Sequence, residues 1–367
     1  MSNTSTELAT VPLLQGTLHI YVAFDWGDEI ALDRVRKLVP ASAQELPRRR
    51  RTPQSFFYRP PPLHVPLANV ELQLAELGLV QATAGVTIFD FGAVSVSFHV
   101  PFSASAGALL RLAGALADTT ALVQKAHEAI EPLHKQVLSA IQDPLWQDDL
   151  SEEYFVFQFA PEMLHQSADH DAWLAGMVHL ESEPLSSEEV AEALRYRLSY
   201  SPQDLFVPDW AAAVLVDRDC DDTLHAISFA NLQLLEFRHI DNRLDESLQA
   251  ASRIIQPLTR STLPYWRMHE RPLRVLGELK VEANGLFERT GNVLKLVGDP
   301  YIARVYRLVA KRFHLETWIE NIQRKLDVAE GVYKVVSDQA GSFRTEFLEI
   351  LVVLLILIEI VVAFVHR

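Results

Sequence analysis

The run from Phe347 to Val365, Phe-Leu-Glu-Ile-Leu-Val-Val-Leu-Leu-Ile-Leu-Ile-Glu-Ile-Val-Val-Ala-Phe-Val, constrains this chain more than any other feature. A hydrocarbon core of about 30 Å takes roughly 20 apolar residues as a helix, and this stretch supplies them. Ile350 to Ile358 is apolar on every face, whereas a helix lying on a water-facing domain keeps a polar side. The segment 347–367 predicts one transmembrane helix, its apolar run to Val365 followed only by His366 and Arg367. Glu349 is expected at the headgroup boundary. Glu359 lies inside the apolar run, where a charge costs a few kcal/mol unless protonated or paired. Two readings of Glu359 stay open: a helix–helix contact or proton-linked role, and a tilt that carries its carboxyl to the far headgroups.

The rest has an ordinary balance for a chain folded in water. The net charge of −15 argues against general nucleic-acid binding, which draws on a basic face to release counterions. Cys220 is the single cysteine, so neither an intrachain disulfide nor a cysteine-based zinc cluster is available. The first residues, Met1-Ser2-Asn3-Thr4-Ser5-Thr6-Glu7, carry no signal-peptide or transit-peptide pattern. The expectation is a single-pass protein with its bulk in the cytoplasm.

Periodicity predicts an α+β fold. It consists of small antiparallel sheets with packed helices, ferredoxin-like in character, then long helices and coiled coil, and the C-terminal transmembrane helix. Four segments are expected: an α+β unit over 1–145 with a Pro/Arg-rich loop at 40–66, a second α+β and helical unit over 146–262, a stalk of long helices over 263–346, and the membrane helix. Thr17 to Phe24 alternates as a strand, and Ile30 to Leu38 reads as a short helix. Prolines between Pro40 and Pro66 oppose regular structure. Val86–Phe91 and Val94–Val100 form a hairpin about Gly92, ahead of a helical stretch from Ala104 to about Ile141 that breaks near Asp118. Tyr154–Phe159 and Ala211–Val216 are strands. Ala168–His179, Ser187–Leu198 and the run from Asp222-Thr223 to about Leu258 are helices.

No phosphate-cradling loop, dinucleotide fingerprint, nucleophile elbow or His-Glu-x-x-His is present, so no catalytic, cofactor or metal residue is assigned. Asp217 to Asp222 imitates the start of a calcium loop. It places Asp222 where a glycine belongs and Ser228 where a bidentate glutamate belongs, so it reads as an acidic helix cap. His165, His170 and His179 match no zinc spacing and read as an exposed loop or helix face. Arg48, Arg49, Arg50 and Arg51 beside Phe56-Phe57-Tyr58 form a candidate anion-binding loop for RNA, a ribosome or anionic lipid. The alternative is a solvated charge run.

Trp318, Ile322, Leu326, Ala329, Tyr333, Val336, Ala340, Phe343, Phe347 and Ile350 follow one another at spacings of three or four. This stripe predicts a coiled-coil seam. Trp318, Ile322, Leu326, Tyr333, Val336 and Phe343 are the candidate residues for a homo-oligomer. Packing on the chain's own domain, or as an antiparallel hairpin with Leu273–Leu296, would satisfy the same seam.

The segment Leu294-Lys295-Leu296-Val297-Gly298-Asp299-Pro300-Tyr301-Ile302-Ala303-Arg304-Val305-Tyr306 resembles the "required for meiotic nuclear division" family, whose bacterial branch is YagE-like. Arg324-Lys325-Leu326-Asp327, Glu346-Phe347-Leu348-Glu349-Ile350 and Leu357-Ile358-Glu359-Ile360 are similar to it as well. Phe89-Asp90-Phe91-Gly92-Ala93-Val94 matches its Phe-x-Tyr-Gly-x-Val strand, with Phe91 in place of tyrosine, and Ile227–Leu235 departs from it. The resemblance implies membrane association, here in the bacterial cytoplasmic (inner) membrane, and for eukaryotic members a tie to mitochondria and organelle translation. It carries over no catalytic residue. The resulting expectation is a membrane scaffold or tether with lipid and a second copy of itself as partners; the competing one is an enzyme with an unrecognised site in the α+β part.

Overall fold

The computed structural model describes residues 12–39, 44–45, 60–144, 146, 150–163, 170–258 and 299–331, with positions within 277–287, residue 334, and 352–356, 358 and 362. Among them the fold is a mixed α+β arrangement with a mainly antiparallel sheet. In chain order come β1 Leu13–Asp25, β2 Glu29–Ile30, α1 Leu32–Leu38, β3 Gln44–Glu45, β4 Leu63–Pro66, β5 Val70–Leu74, β6 Gly78–Ile88 and β7 Ala93–Ser105. Then follow α2 Ala106–Ala115, α3 Thr120–Val137, β8 Ile141–Gln142, β9 Ser151–Phe159, α4 His170–His179, α5 Ser187–Ala193, β10 Leu205–Pro208, β11 Ala212–Val216, α6 Asp221–Leu258 and α7 Pro300–Arg312.

Nine strands form the large sheet in the order β10-β11-β9-β1-β7-β6-β4-β3, with β5 paired to β6, and β2 and β8 make a separate ladder. The four central strands, β9-β1-β7-β6, are antiparallel to one another. In the chain, α1 lies between β1 and β6, and α2 with α3 between β7 and β9. β11 adds to β9 in parallel.

The alternation of β1 explains the layers. Leu18, Ile20, Val22 and Phe24 enter one core with Val96, Phe98, Phe155 and Phe157, covered by Leu109 and Leu112 of α2, Ile130 of α3 and Met177 of α4. The residues between them, His19, Tyr21 and Ala23, face the other way and are also buried. The first half of α6 covers that second face: Ser95 Oγ lies 3.0 Å from Ser228 Oγ, Asn231 Nδ2 donates to the Glu152 carbonyl at 2.9 Å, and Phe229 packs on Phe89. Helices therefore lie on both faces of the sheet.

Contacts divide the chain into two compact units, 1–236 with 290–316, and 237–289 with 317–367. The expected boundary at 145/146 falls within the first of these, because β9 hydrogen bonds to β1 along nine residue pairs. The expected loop at 40–66 contains two short strands, β3 and β4. Pro60 to Pro62 precede β4, and Pro66 closes it where the ladder ends. The helix expected over 187–198 stops at Ala193, and Leu198 instead exchanges backbone hydrogen bonds with Phe206.

The second unit is helical in its described parts. Ile322, Leu326 and Ala329 of helix 315–331 are buried along with Ile240 and Leu244 of α6 and Ala283. Lys325 Nζ bridges Asp241 and Asp245 at 2.7 Å each, and Lys280 Nζ reaches Glu330 at 2.5 Å. The described part of the seam thus packs within its own chain. Tyr333, Val336 and Phe343 lie outside the described residues. Of the segment 347–367, Val352–Ile356, Ile358 and Val362 are described; all are helical and exposed. Glu349 and Glu359 lie outside the described residues. No single helix among the described residues is long and apolar enough to cross a membrane.

Candidate functional site

A row of polar side chains crosses five adjacent strands on the face beneath α6. It comprises His64 on β4, Thr87 on β6, His99 on β7, His19 on β1 and Gln158 on β9. Register sets His19 opposite His99 and His64 opposite Thr87, while Thr87 stands opposite Ser95 and Gln158 opposite Thr17, so the residues share one face in a staggered line. Each histidine sits between apolar neighbours, in Leu18-His19-Ile20, Leu63-His64-Val65 and Phe98-His99-Val100, so period-two alternation sends it to the face opposite the apolar core.

The hydrogen bonds have one possible polarity. Gln158 Nε2 donates to the Asp217 carbonyl at 3.0 Å, which leaves Gln158 Oε1 as an acceptor. His19 Nε2, 2.8 Å from that oxygen, must carry a proton. In neutral His19 the Nδ1 is then a lone pair, so His99 Nδ1, 2.7 Å away, is the donor. Neutral His99 is left with its lone pair at Nε2.

Burial keeps these rings neutral. It lowers the pKa of His19, and it lowers that of His99 to about 4 with help from the charges of His19 and His64. Burial also lowers His64, with His225 of α6 adding to the effect. The nearby Asp221 carboxylate opposes the shift at His19 and His99. His64, His99, Gln158 and His225 are half-buried and Asp221 is exposed, so the row opens to solvent beside the start of α6. Gly85 shapes the other end: a Cβ there would come within 2.5 Å of His64 Cε1, so the His64 ring occupies space that only glycine leaves.

This arrangement can take up a proton or offer a nitrogen lone pair. Among the described residues, no three His, Cys, Asp or Glu side chains are grouped to hold a metal ion. Asp217 forms an Asx turn ahead of α6, the Asp219 N–H donating to its Oδ1 at 3.0 Å, and Cys220 is buried with its thiol pushed up to about 12. His170 stacks on Trp173, while His179 Nε2 lies 3.4 Å from the buried Asp209 Oδ2 without hydrogen-bond geometry. His165, Arg48, Arg49, Arg50 and Arg51 lie outside the described residues. Sequence spacing could not join His19, His64, His99 and Gln158, although three apolar-His-apolar triplets in strand segments were a usable signal.

A second polar junction is structural. Arg312 at the end of α7 donates to the carbonyls of Pro208, Glu192 and Ala193 at 3.3, 3.0 and 3.1 Å, and its Nε lies 3.5 Å from Asp209 Oδ1. Tyr154 Oη, beneath Phe313, donates to the Asp209 carbonyl at 2.8 Å. These bonds fasten α7 to the β10–β11 end of the sheet.

Residues 15–223 match the family model described as "Uncharacterized protein MJ0711, N-terminal domain". A similar protein, "Uncharacterized protein MJ0711" of Methanocaldococcus jannaschii, is 26% identical over 220 residues, covering 59% of this chain and 67% of that protein. The matched span takes in His19, His64, His99 and Gln158 and ends at Thr223, in the first turn of α6.

Proposed function

We propose that this chain, which belongs to the family of the MJ0711 N-terminal domain, is a scaffold or tether held at a membrane by its C-terminal helix. One observation carries the reading. Val352, Val353, Leu354, Leu355, Ile356, Ile358 and Val362 are helical, apolar and each about half exposed. A contiguous apolar helical surface of this kind needs a non-aqueous partner, and the length of the run from Phe347 to Val365 suits a bilayer. The motifs that resemble the "required for meiotic nuclear division" family support the same reading. In it the protein is single-pass, with the sheet-bearing unit on the cytoplasmic side. Self-association through Ile322 and Leu326 is not part of the proposal, since the chain itself covers them.

Deleting 347–367 tests the anchor. The full chain should stay with membranes through an alkaline carbonate wash, and the truncated chain should move to the soluble fraction. A truncated chain that still pellets would sink the reading.

A second reading, an enzyme, is favoured by the His99 lone pair at the solvent end of a polarity-fixed relay. Diethyl pyrocarbonate acylates accessible neutral imidazole nitrogens. Below about pH 6, where a histidine of ordinary pKa is largely protonated and protected, His99 should still be modified, and an unmodified His99 would remove it as a candidate base.

A further inference from the structure

Helix α7, Pro-Tyr-Ile-Ala-Arg-Val-Tyr-Arg-Leu-Val-Ala-Lys-Arg, carries four cations and no carboxylate. Ile302, Val305, Tyr306 and Val309 turn inward. That leaves Arg304, Arg307 and Lys311, at i, i+3 and i+7, as one exposed stripe. Among the described residues, these three and the exposed Arg197 have no carboxylate at ion-pair distance; the acidic contacts of this region go to Arg195 and Arg312.

Tyrosines interleave with the cations. Lys311 lies 4.7 Å from the centre of the Tyr196 ring, Arg312 4.9 Å and Arg195 5.7 Å. Arg304 lies 5.7 Å from the centre of the Tyr301 ring, which meets Tyr200 edge-on. Tyr200 is 76% exposed. The Asp204 carboxylate accepts from the Tyr200 N–H and, with Asp217, acts on Tyr301, but Arg197, Arg304, Arg307 and Lys311 outnumber the two, so a chain with a net charge of −15 has a net cationic patch with an exposed phenol on its first unit.

We propose that this patch docks on the anionic headgroups of the bilayer that holds the C-terminal helix, a proposal that rests on the anchoring reading above. Charge complementarity selects the occupant. Each basic residue close to an anionic leaflet strengthens partitioning about fivefold, and screening confines the effect to about 8 Å at physiological salt. The surplus negative charge of the remaining chain is repelled by the same leaflet, so the two effects turn the patch towards it. The apolar run begins fewer than forty residues after Lys311, so tethering raises the local concentration and a weak contact suffices. An exposed tyrosine suits the headgroup zone. A nucleic-acid strand fits less well, because stacking needs free ring faces and the Tyr196 ring is already covered by cations.

The buried Cys220 leaves Tyr200→Cys as a single reactive thiol for an environment-sensitive fluorophore in the full-length chain. The labelled protein is reconstituted into phosphatidylcholine vesicles, with or without phosphatidylglycerol, each carrying a headgroup nitroxide quencher. Quenching should be several-fold stronger in the anionic vesicles. High salt should reverse it, and so should joint replacement of Arg304, Arg307 and Lys311 by Ser, with the thermal transition unchanged. Equal quenching in both vesicle types, with the protein floating on both, overturns the patch and leaves the anchor standing. If the chain does not float on neutral vesicles the anchor fails; quenching confined to anionic vesicles would then still support the patch, and none would overturn it. A label that responds to a single-stranded oligonucleotide in neutral detergent but not to phosphatidylglycerol also overturns the proposal.

Discussion

His19 and His99 meet Nδ1 to Nδ1 at 2.7 Å across the β1–β7 pair, and the Gln158 amide decides which of them donates. Long-range 15N–1H correlation should find His19 protonated at Nε2 and His99 at Nδ1, both neutral at pH 7. The reverse pairing would mean that Gln158 is turned over and the relay runs the other way. Gln158→Leu leaves His19 Nε2–H buried without an acceptor, which should cost about 1–3 kcal/mol in unfolding free energy.

The pH dependence follows from the same burial. Folded-state pKa values of His19, His64 and His99 lie below the unfolded value of 6.5, that of His99 at about 4. Between those limits the unfolded chain binds more protons, so stability is full above about pH 6.5 and drains as pH falls towards 4. His99→Asn keeps a donor towards His19 without a titrating ring. Its stability should fall less steeply over that window, by at most about 1.4 kcal/mol per pH unit. Denaturant melts at a series of pH values would measure this, and parallel curves for the two proteins would refute it.

Gly85 and His64 should be coupled. Gly85→Ala forces the His64 ring aside and weakens its 3.3 Å contact with Thr87 Oγ1, with an expected cost of about 1–3 kcal/mol. In a His64→Ala background the same substitution should be nearly neutral. Equal costs in both backgrounds would show that His64 is not what glycine accommodates.

The buried seam makes an opposite forecast to a coiled-coil oligomer. Leu326→Ala removes a covered side chain and should destabilise the helical unit by roughly 2–5 kcal/mol, with no change in the mass of the detergent-solubilised particle. A drop in mass without loss of stability would return the seam to an intermolecular role.

The contrast between β1 and β10 shows what local sequence could reveal. Thr17 to Phe24 alternates for eight residues, and the strand and its buried face follow from that pattern. Leu205-Phe206-Val207, closed by Pro208, is too short to stand out, and becomes a strand only because β11 lies beside it. Val70 to Leu74 does alternate, but its short length and position after the prolines hid it. The stripe at helix 315–331 was plain in the spacing; its occupant was not, because an apolar seam does not encode whether its partner is the same chain. The histidine row is a product of register: Gln158 joins His19 from 139 positions away. The cations of α7 are legible as a run of thirteen residues without acids, although the overall charge is −15.

The central place of β1 has a consequence for synthesis on the ribosome. The first of the described strands ends in the middle of the sheet, and His19 waits 80 residues for His99 and 139 for Gln158. Until β7 and β9 emerge, both of its edges are open and its apolar side chains have no cover, the condition under which nascent chains pair with the wrong neighbour. With β1 wedged between later strands, sequence-distant pairing sets the folding time. A nascent chain stopped before Ser151 cannot complete the sheet, and it is at this stage that a holding chaperone would matter most.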